Sequence, residues 1–250
     1  MGELHNEGLR HVFGTNSFPT TRAEIETYEA ETLIESGLED YLTQQLELDS
    51  RFSISEYCEV DVTQEIADAM SDANERMGAS TSLAFCDIPS SVISMINDVD
   101  ICDEAKNDLE EIYQSFSLYT GIGLSTYLSN KENAIAIRNY NDLEKAILLS
   151  VISVGKSSLD YWGDVNFSNG LSKRNVAKAD VVGAMRGAWR GRHTIIICSM
   201  LGGRAGGCTA ALRYMLVQSV IDSAVYAFIE SCEAKIDDGV YPSFPIKKEN

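Results

Sequence analysis

The sequence predicts an all-α or nearly all-α protein, a helical bundle with a glycine-striped helical hairpin near its C-terminal end. Two observations support this fold class. Proline is scarce, at 4 of 250 residues, and a proline-poor chain favours helices over loop-rich β architecture. Apolar residues recur at helical spacing through most of the chain, and small residues recur four apart near its end. The second pattern is typical of helices whose backbones pack closely.

The small residues form a stripe within 177–221. Residues four apart share one face of a helix, and each glycine there costs roughly 1 kcal/mol relative to alanine. Close approach of a second backbone compensates that cost. With Gly191–Thr194 as the break, we predict that 177–193 and 195–232 form an antiparallel hairpin. The predicted helix-packing residues are Ala179, Gly183, Gly187, Gly191, Gly202, Gly203, Gly206 and Gly207.

The first half of the chain has less regular patterns. Residues 1–20 are polar and lack periodicity, which predicts a flexible tail. We then predict a helix from about residue 20 to 46, a strand-like run at 51–62 and a second helix from Thr63 to about Gly78. Pro89 predicts the first turn of a short third helix.

The second half predicts longer helices. Asp103 begins an amphipathic helix, which Gly121 and Gly123 close. Asn141 or Asp142 caps the next helix, whose apolar stripe consists of Leu143, Ile147, Val151 and Val154. The last helix is predicted to end at about residue 236. In all, the sequence predicts roughly seven helices.

Charge divides the chain into an acidic and a basic part. The formal net charge is −18. Between Arg22 and Glu111 four basic residues stand against two dozen carboxylates, whereas eight basic residues from Leu171 to Met215 face one acid, Asp180. We therefore expect four regions. These are a flexible tail at 1–20, an acidic helical region at 21–170, a basic glycine-rich hairpin at 171–236 packed on it, and a tail at 237–250.

The basic region allows two interpretations of its partner. In one, it attracts the acidic helices of its own chain. In the other, it meets an anionic lipid surface, with Arg186, Arg190 and Arg192 as the candidate contacts. Nucleic acid is not expected as a partner. A strongly acidic protein repels phosphate at long range, and no nucleic-acid-binding motif is visible.

We predict no catalytic, cofactor-binding or metal-binding residues, and therefore a protein that is not an enzyme. Gly155-Lys156-Ser157 ends like a phosphate-binding loop, but bulky residues fill the loop positions before it. His193 and Cys198 are close in sequence but lack an orienting third group. The six cysteines show no metal-ligand spacing and are predicted to be scattered buried thiols.

The apolar run from Ile195 to Ile221 is long enough to span a bilayer. It contains Arg204 and Arg213, and each central arginine costs roughly 2.5–3.5 kcal/mol on insertion scales. An independent transmembrane helix is therefore not expected. A hairpin that inserts as an oligomer and a hairpin in a soluble core are the two alternatives.

The run AILLSVISVGKSSLDYWGDV, with Tyr161–Trp162, and the following AKADVVGAMRGAWRG, with Ala179–Asp180, together resemble a set of uncharacterised bacterial proteins that end in a glycine zipper. The resemblance covers about the last 110 residues. It implies a secreted or envelope-associated protein with no established activity. The start of the sequence shows no signal-peptide pattern, so localisation stays open between the envelope and the cytoplasm.

These observations lead to one functional hypothesis and two alternatives. We expect a non-enzymatic bacterial protein whose hairpin mediates association with a membrane or envelope surface, or self-assembly there. The first alternative is a soluble interaction or structural protein with the hairpin buried in its core. The second is a nucleotide-binding enzyme that uses Gly155-Lys156-Ser157. A protein partner or a homo-oligomer fits the hypothesis and the first alternative.

Overall fold

The computed structural model describes residues 1–15, 36–37, 40–41, 90–163 and 173–238. Within these ranges helices dominate and no strand occurs, so the all-α prediction is confirmed. The strand-like run at 51–62, the helix at 63–78 and nearly all of the helix at 20–46 lie outside the described residues, as does the tail from residue 239.

The described helices are arranged around one central helix. They are α1 Gly2–Thr15, α2 Ser90–Asp98, α3 Asp103–Leu118, α4 Gly121–Ile137, α5 Asp142–Gly163, α6 Lys173–Arg190 and α7 Arg192–Asp238. The central helix is α5, which contacts α1, α3, α4, α6 and α7. Helix α6 contacts α2, α3, α5 and α7. Helix α1 packs on α5 and α7, and α4 packs on α3 and α5. The start of α2 at Ser90 fits the helix start predicted at Pro89.

The beginning of the chain is a docked helix, so the prediction of a flexible tail at 1–20 is wrong for α1. Leu9 and Val12 are fully buried against the bundle. His5 and Asn6 are buried as well, and they lie on the same side of α1 because they are one helical turn before Leu9. The sequence shows few apolar residues here because polar side chains fill much of the docking face.

Helix α4 was not predicted, because Gly121 and Gly123 were expected to close a helix. Gly121 instead begins one, and its φ of +50° lies in the left-handed region that favours glycine. The chain turns at Gly121 and then enters α4. The buried residues of α4 follow a helical spacing and are Leu124, Leu128, Lys131 and Ile135. A lysine within that apolar stripe obscured the pattern in the sequence.

The N-terminus of α5 is capped by Asn141, one of the two predicted residues. Asn141 Oδ1 accepts the backbone N–H of Glu144 at 2.9 Å, and Glu144 Oε2 accepts the backbone N–H of Asn141 at 2.8 Å. This reciprocal pair is a capping box. Glu144 Oε1 also accepts the backbone N–H of Cys102 at 3.0 Å, which ties the start of α5 to the start of α3.

Gly191 separates two helices, but the chain does not reverse direction there. It is a turn residue between Arg190, where α6 ends, and Arg192, where α7 begins, so a helix break does fall within the predicted Gly191–Thr194. The backbone N–H of Gly191 donates to the Gly187 carbonyl at 2.9 Å, and that of Ile195 donates to the Gly191 carbonyl at 2.8 Å. These hydrogen bonds of α-helical spacing connect the two helices, and the prediction that the hairpin turns at this break is wrong.

The chain reverses direction within α7. A Cβ atom on Gly206 would lie 2.5 Å from the carbonyl oxygen of Cys198, whereas eight residues of straight helix span roughly 12 Å. The reversal therefore lies between Cys198 and Gly206, a stretch that includes the adjacent Gly202 and Gly203. We call 173–200 the proximal arm and 205–238 the distal arm of the hairpin.

Candidate functional site

The glycines of the proximal arm lie directly on the backbone of the distal arm. A Cβ on Gly183 would be 2.8 Å from Ser219 Cα, and one on Gly187 would be 2.5 Å from Met215 Cα. Real Cβ atoms do not approach a backbone this closely, so both positions need glycine. Gly191 faces the ring of Tyr214 in the same way. The stripe of small residues is therefore covered by the chain's own distal arm.

The remaining small residues have different surroundings. Gly206 and Gly207 face the proximal arm near the reversal, where Gly207 lies against Ser199. Ala179 is half-buried. Gly202 and Gly203 belong to α7, but their surroundings lie outside the part of the chain that the structure describes.

Arg186 is not a surface residue, so its prediction as an anionic-surface contact is wrong. The side chain is buried, and its Nη1 lies 2.5 Å from Asp222 Oδ2 on the distal arm. Gln218 Nε2 donates to the other oxygen of Asp222 at 2.8 Å. Arg186 lies on the helix face that packs against the distal arm, and the ion pair there stabilises its charge. The sequence shows that a charge is present but does not show which face of the helix carries it.

Lys178 is a second basic residue whose charge is used inside the fold. Its side chain is buried, with Nζ 4.2 Å from the centre of the Tyr113 ring and 2.8 Å from Ser117 Oγ. An ammonium over an aromatic face is a favourable cation–π contact. Part of the positive charge of the hairpin is therefore buried inside the fold.

One face of the proximal arm is exposed just before the reversal. It consists of His193, Ile197 and Met200, and we call it the exposed face. Ile197 is 47% exposed and Met200 is 79% exposed. The three residues are four and three residues apart on α7, so they share one face of that helix, and the half-buried Arg190 lies just before them at the end of α6. Apolar and basic side chains therefore meet solvent together.

A groove of about 290 Å³ lies beside the exposed face. Its walls are mainly aliphatic and come from α5, α6, the start of α7 and the turn after α2. The lining residues are Val99, Asp100, Leu143, Ile147, Ala188, Arg192, Ile195, Ile196, Ser199 and Met200. Arg192 lies over the Trp189 ring at 4.9 Å and donates to the Trp189 carbonyl at 2.8 Å. Within the described residues Arg192 forms no ion pair.

The predicted nucleotide motif lies in the interior of a helix. Gly155, Lys156 and Ser157 belong to α5, and Lys156 Nζ lies 2.8 Å from Glu132 Oε2. A phosphate-binding loop offers free backbone N–H groups to phosphate, whereas the interior of a helix uses its N–H groups in its own hydrogen bonds. The geometry therefore gives no support to the nucleotide-binding alternative.

His193 and Cys198 do not form a catalytic pair. His193 is exposed, whereas Cys198 is buried and disulfide-bonded. The prediction of scattered thiols is therefore wrong for Cys198. Cys102 and Cys208 are free thiols. Spacing along the sequence could not reveal the disulfide, because the bond depends on which segments meet in the fold.

A buried polar cluster that the sequence did not predict lies where α1, α5, α6 and α7 meet. Asp180 Oδ2 accepts hydrogen bonds from the Ser158 hydroxyl and from Trp162 Nε1, the latter at 3.1 Å. His5 Nε2 lies 3.6 Å from the same oxygen. All four side chains are fully buried. We call them the Asp180 cluster. The sequence feature that could have indicated this cluster is Asp180 itself, the one acidic residue in a basic segment.

Burial displaces the pKa values in and beside this cluster. It raises the pKa of Asp180 to about 7, although hydrogen bonds from Ser158, Ser223 and Trp162 oppose the change. Burial lowers the pKa of His5 to about 4. It also raises the pKa of the neighbouring Tyr161 to about 12. In each case burial disfavours the charged form.

Comparison of the chain with protein-family models, with curated proteins and with solved structures finds no match. None of the described helices combines the length and hydropathy that a membrane span requires. In the same part of the chain, no group of three histidine, cysteine or acidic side chains could hold a metal ion. The candidate functional site is therefore defined by geometry alone, as the exposed face and the adjacent groove.

Proposed function

We propose that this is a non-enzymatic protein that binds reversibly to an anionic lipid surface through the exposed face of its hairpin. One observation supports this above all: Ile197 and Met200 are exposed on the same face of α7 as His193, and two arginines, Arg190 and Arg192, are near this face. A helix that lies on a membrane surface typically combines apolar side chains with basic ones in this way.

The glycine stripe has a different role in this proposal. Gly183 and Gly187 are covered by the distal arm, and Arg186 is paired with Asp222. The stripe therefore serves to hold the two arms together within one chain. The side chains that contact lipid are those that this packing leaves exposed near the reversal.

The local charge favours an anionic surface in spite of the overall net charge. No acidic residue occurs between Asp180 and Asp222. Two arginines, Arg190 and Arg192, are near the exposed face and half-buried. Surface potentials fall off within a Debye length of about 10 Å at 0.1 M salt. The nearest charges therefore matter more than the acidic residues elsewhere in the chain.

The expected strength of this contact is modest. Full burial of an isoleucine or methionine side chain contributes roughly 1.5–3 kcal/mol, and a basic residue near an anionic bilayer contributes about 1 kcal/mol. Ile197 and Met200 can insert only in part, because both also pack against the protein. The sum is a few kcal/mol, which corresponds to weak, reversible binding.

The experiment is flotation of the full chain with vesicles that contain phosphatidylserine, with neutral vesicles as the comparison. We expect flotation with the anionic vesicles at low salt and a large loss of it at 1 M salt, where the Debye length is about 3 Å. The double variant Ile197→Asp/Met200→Glu should abolish flotation. Its matched control is Ile122→Asp/Ile137→Glu, which changes two isoleucines that are 87% and 88% exposed on α4.

A second pair of variants tests the charges. Arg190→Glu/Arg192→Glu should reduce flotation more than Lys106→Glu/Lys145→Glu, which changes two lysines that donate to backbone carbonyls elsewhere. Equal binding to neutral and anionic vesicles would overturn the proposal. So would absence of binding together with a dimer that the Ile197→Asp/Met200→Glu variant dissociates. That result would instead favour an interaction protein with the hairpin as its core.

A further inference from the structure

The docking face of α1 contains two fully buried ionisable side chains that face each other. His5 on α1 and Asp180 on α6 both have no exposure to solvent, and His5 Nε2 lies 3.6 Å from Asp180 Oδ2. Burying either group in its charged form is costly unless the charge is compensated. The protonation of this pair therefore bears directly on how α1 is held.

Hydrogen bonds fix the proton on the other nitrogen of His5. The side-chain amide of Asn6 donates from Nδ2 to the Ser157 carbonyl at 2.8 Å, so its Oδ1 is an acceptor. That oxygen lies 3.1 Å from His5 Nδ1, which must then carry a hydrogen. In the neutral imidazole the other nitrogen, Nε2, is left with a lone pair, and it faces the carboxyl group of Asp180.

A carboxylate opposite that lone pair would be repelled by it. In addition, Oδ1 of Asp180 and Nε2 of His5 have no hydrogen-bond partner of good geometry among the described residues, although the Ser223 hydroxyl acts on Asp180 and the Ser219 backbone acts on His5 from α7. A single proton on the carboxyl group of Asp180 removes this repulsion. A neutral carboxyl group also needs fewer hydrogen bonds than a carboxylate, which suits a group with one unpartnered oxygen.

We propose that His5 and Asp180 hold one proton between them, that it lies on the carboxyl group, and that this neutral pair allows α1 to dock without a buried charge. In the unfolded chain at mildly acidic pH the same single proton lies on the histidine. Docking therefore moves the proton from imidazole to carboxyl through solvent. The number of bound protons stays the same, so docking is insensitive to pH over this range.

The other charged groups near the pair affect its pKa values less than burial does. Asp222 on α7 acts on Asp180 but is paired with Arg186. The amino terminus of the chain acts on His5. Tyr161 on α5 is neutral, and Arg10 on α1 lies over its ring at 5.9 Å. The burial of His5 and Asp180 is therefore the main influence on which of the two side chains carries the proton.

Each member of the pair alone would make stability depend on pH, with opposite signs. Burial raises the pKa of Asp180 to about 7, so its contribution to stability is lost as the pH rises from about 4 to 7. Burial lowers the pKa of His5 to about 4, so its contribution is lost as the pH falls from about 6.5 to 4. Together the two effects cancel between about pH 4 and 6.5.

Variants separate the two effects. Relative to the wild type, the folding constant of Asp180→Asn should fall about tenfold for each pH unit from 6.5 down to 4. That of His5→Gln should fall about tenfold for each unit from 4 up to 6.5. Asp160→Asn is the control, since Asp160 is an exposed residue of α5, and it should follow the wild type. If both pair variants also follow the wild type, the two groups do not share a proton.

The position of the proton is measured in the wild-type protein, which avoids variants that fail to fold. The ¹⁵N shifts of His5 at pH 5.5, assigned by His11→Gln and His193→Gln, should be those of a neutral imidazole protonated at Nδ1. Shifts of an imidazolium would overturn the proposal, because they would place the proton on His5 and leave a buried ion pair.

Discussion

Replacement of Gly187 by alanine tests whether the two arms of the hairpin depend on glycine for their close approach. The added Cβ would lie 2.5 Å from Met215 Cα and closer still to the Tyr214 carbonyl oxygen. Carbon atoms in ordinary contact are about 3.5–4.0 Å apart. Both atoms belong to the backbone and cannot rotate away, so the arms must separate by about 1 Å.

The cost of that separation can be estimated from its consequences. A gap of 0.5–1 Å forfeits about a quarter to a half of each dispersion contact, and Ala184, Ala188 and Met215 are fully buried along the arms. Overpacking of this kind costs about 1–3 kcal/mol, and we expect the upper end. Alanine regains about 1 kcal/mol of helix propensity, which leaves a net loss of about 2 kcal/mol in the free energy of unfolding.

The measurement is thermal unfolding followed by circular dichroism. At about 2–4 °C per kcal/mol for a chain of this size, Gly187→Ala should lower the Tm by about 4–8 °C. The control is Gly123→Ala, because no atom lies within 4 Å of its added Cβ, and it should raise the Tm slightly. Gly121 is unsuitable because its φ is +50°. An equal rise for Gly187→Ala and Gly123→Ala would refute the close approach.

Two further predictions concern stability and can be measured by urea unfolding. Arg186→Met should lower the free energy of unfolding by about 3–5 kcal/mol, because it leaves Asp222 buried without its partner. The double variant Arg186→Met/Asp222→Leu should recover most of that loss, and equal losses would contradict a buried ion pair. Asn141→Ala should cost about 1 kcal/mol through loss of the capping box, whereas Asn139→Ala, at an exposed position before it, should cost almost nothing.

The parts of the fold that could be predicted are those with regular local patterns. The helical class, the helix from Asp103 and the cap at Asn141 all follow from spacing and capping chemistry within a few residues. The close approach of Gly187 is of the same kind, since glycines four apart on a helix have a physical cost that calls for an explanation.

The parts that could not be predicted depend on contacts between distant segments. His5 lies against Asp180 only because α1 packs on α5 and α7, and nothing near either residue in sequence indicates that packing. Arg186 looks like a surface cation until its partner Asp222 is known. The reversal between Cys198 and Gly206 was misplaced because Gly191 and Gly202 look alike in the sequence, although only the second lies where the chain reverses direction.

The order in which these contacts can form differs sharply between the two ends of the fold. The arms of the hairpin are near neighbours in the chain, so they can meet soon after both have been synthesised. Helix α1 is made long before any of its partners, since Asn6 and Ser157 are separated by 151 residues, and Gly8 contacts Val220 still later. Closing so long a loop costs more entropy than closing the hairpin. Among the described helices, α1 leaves the ribosome first and therefore completes its contacts last. Until then, the face of α1 that becomes buried and the surface of α5 and α7 that receives it are both exposed.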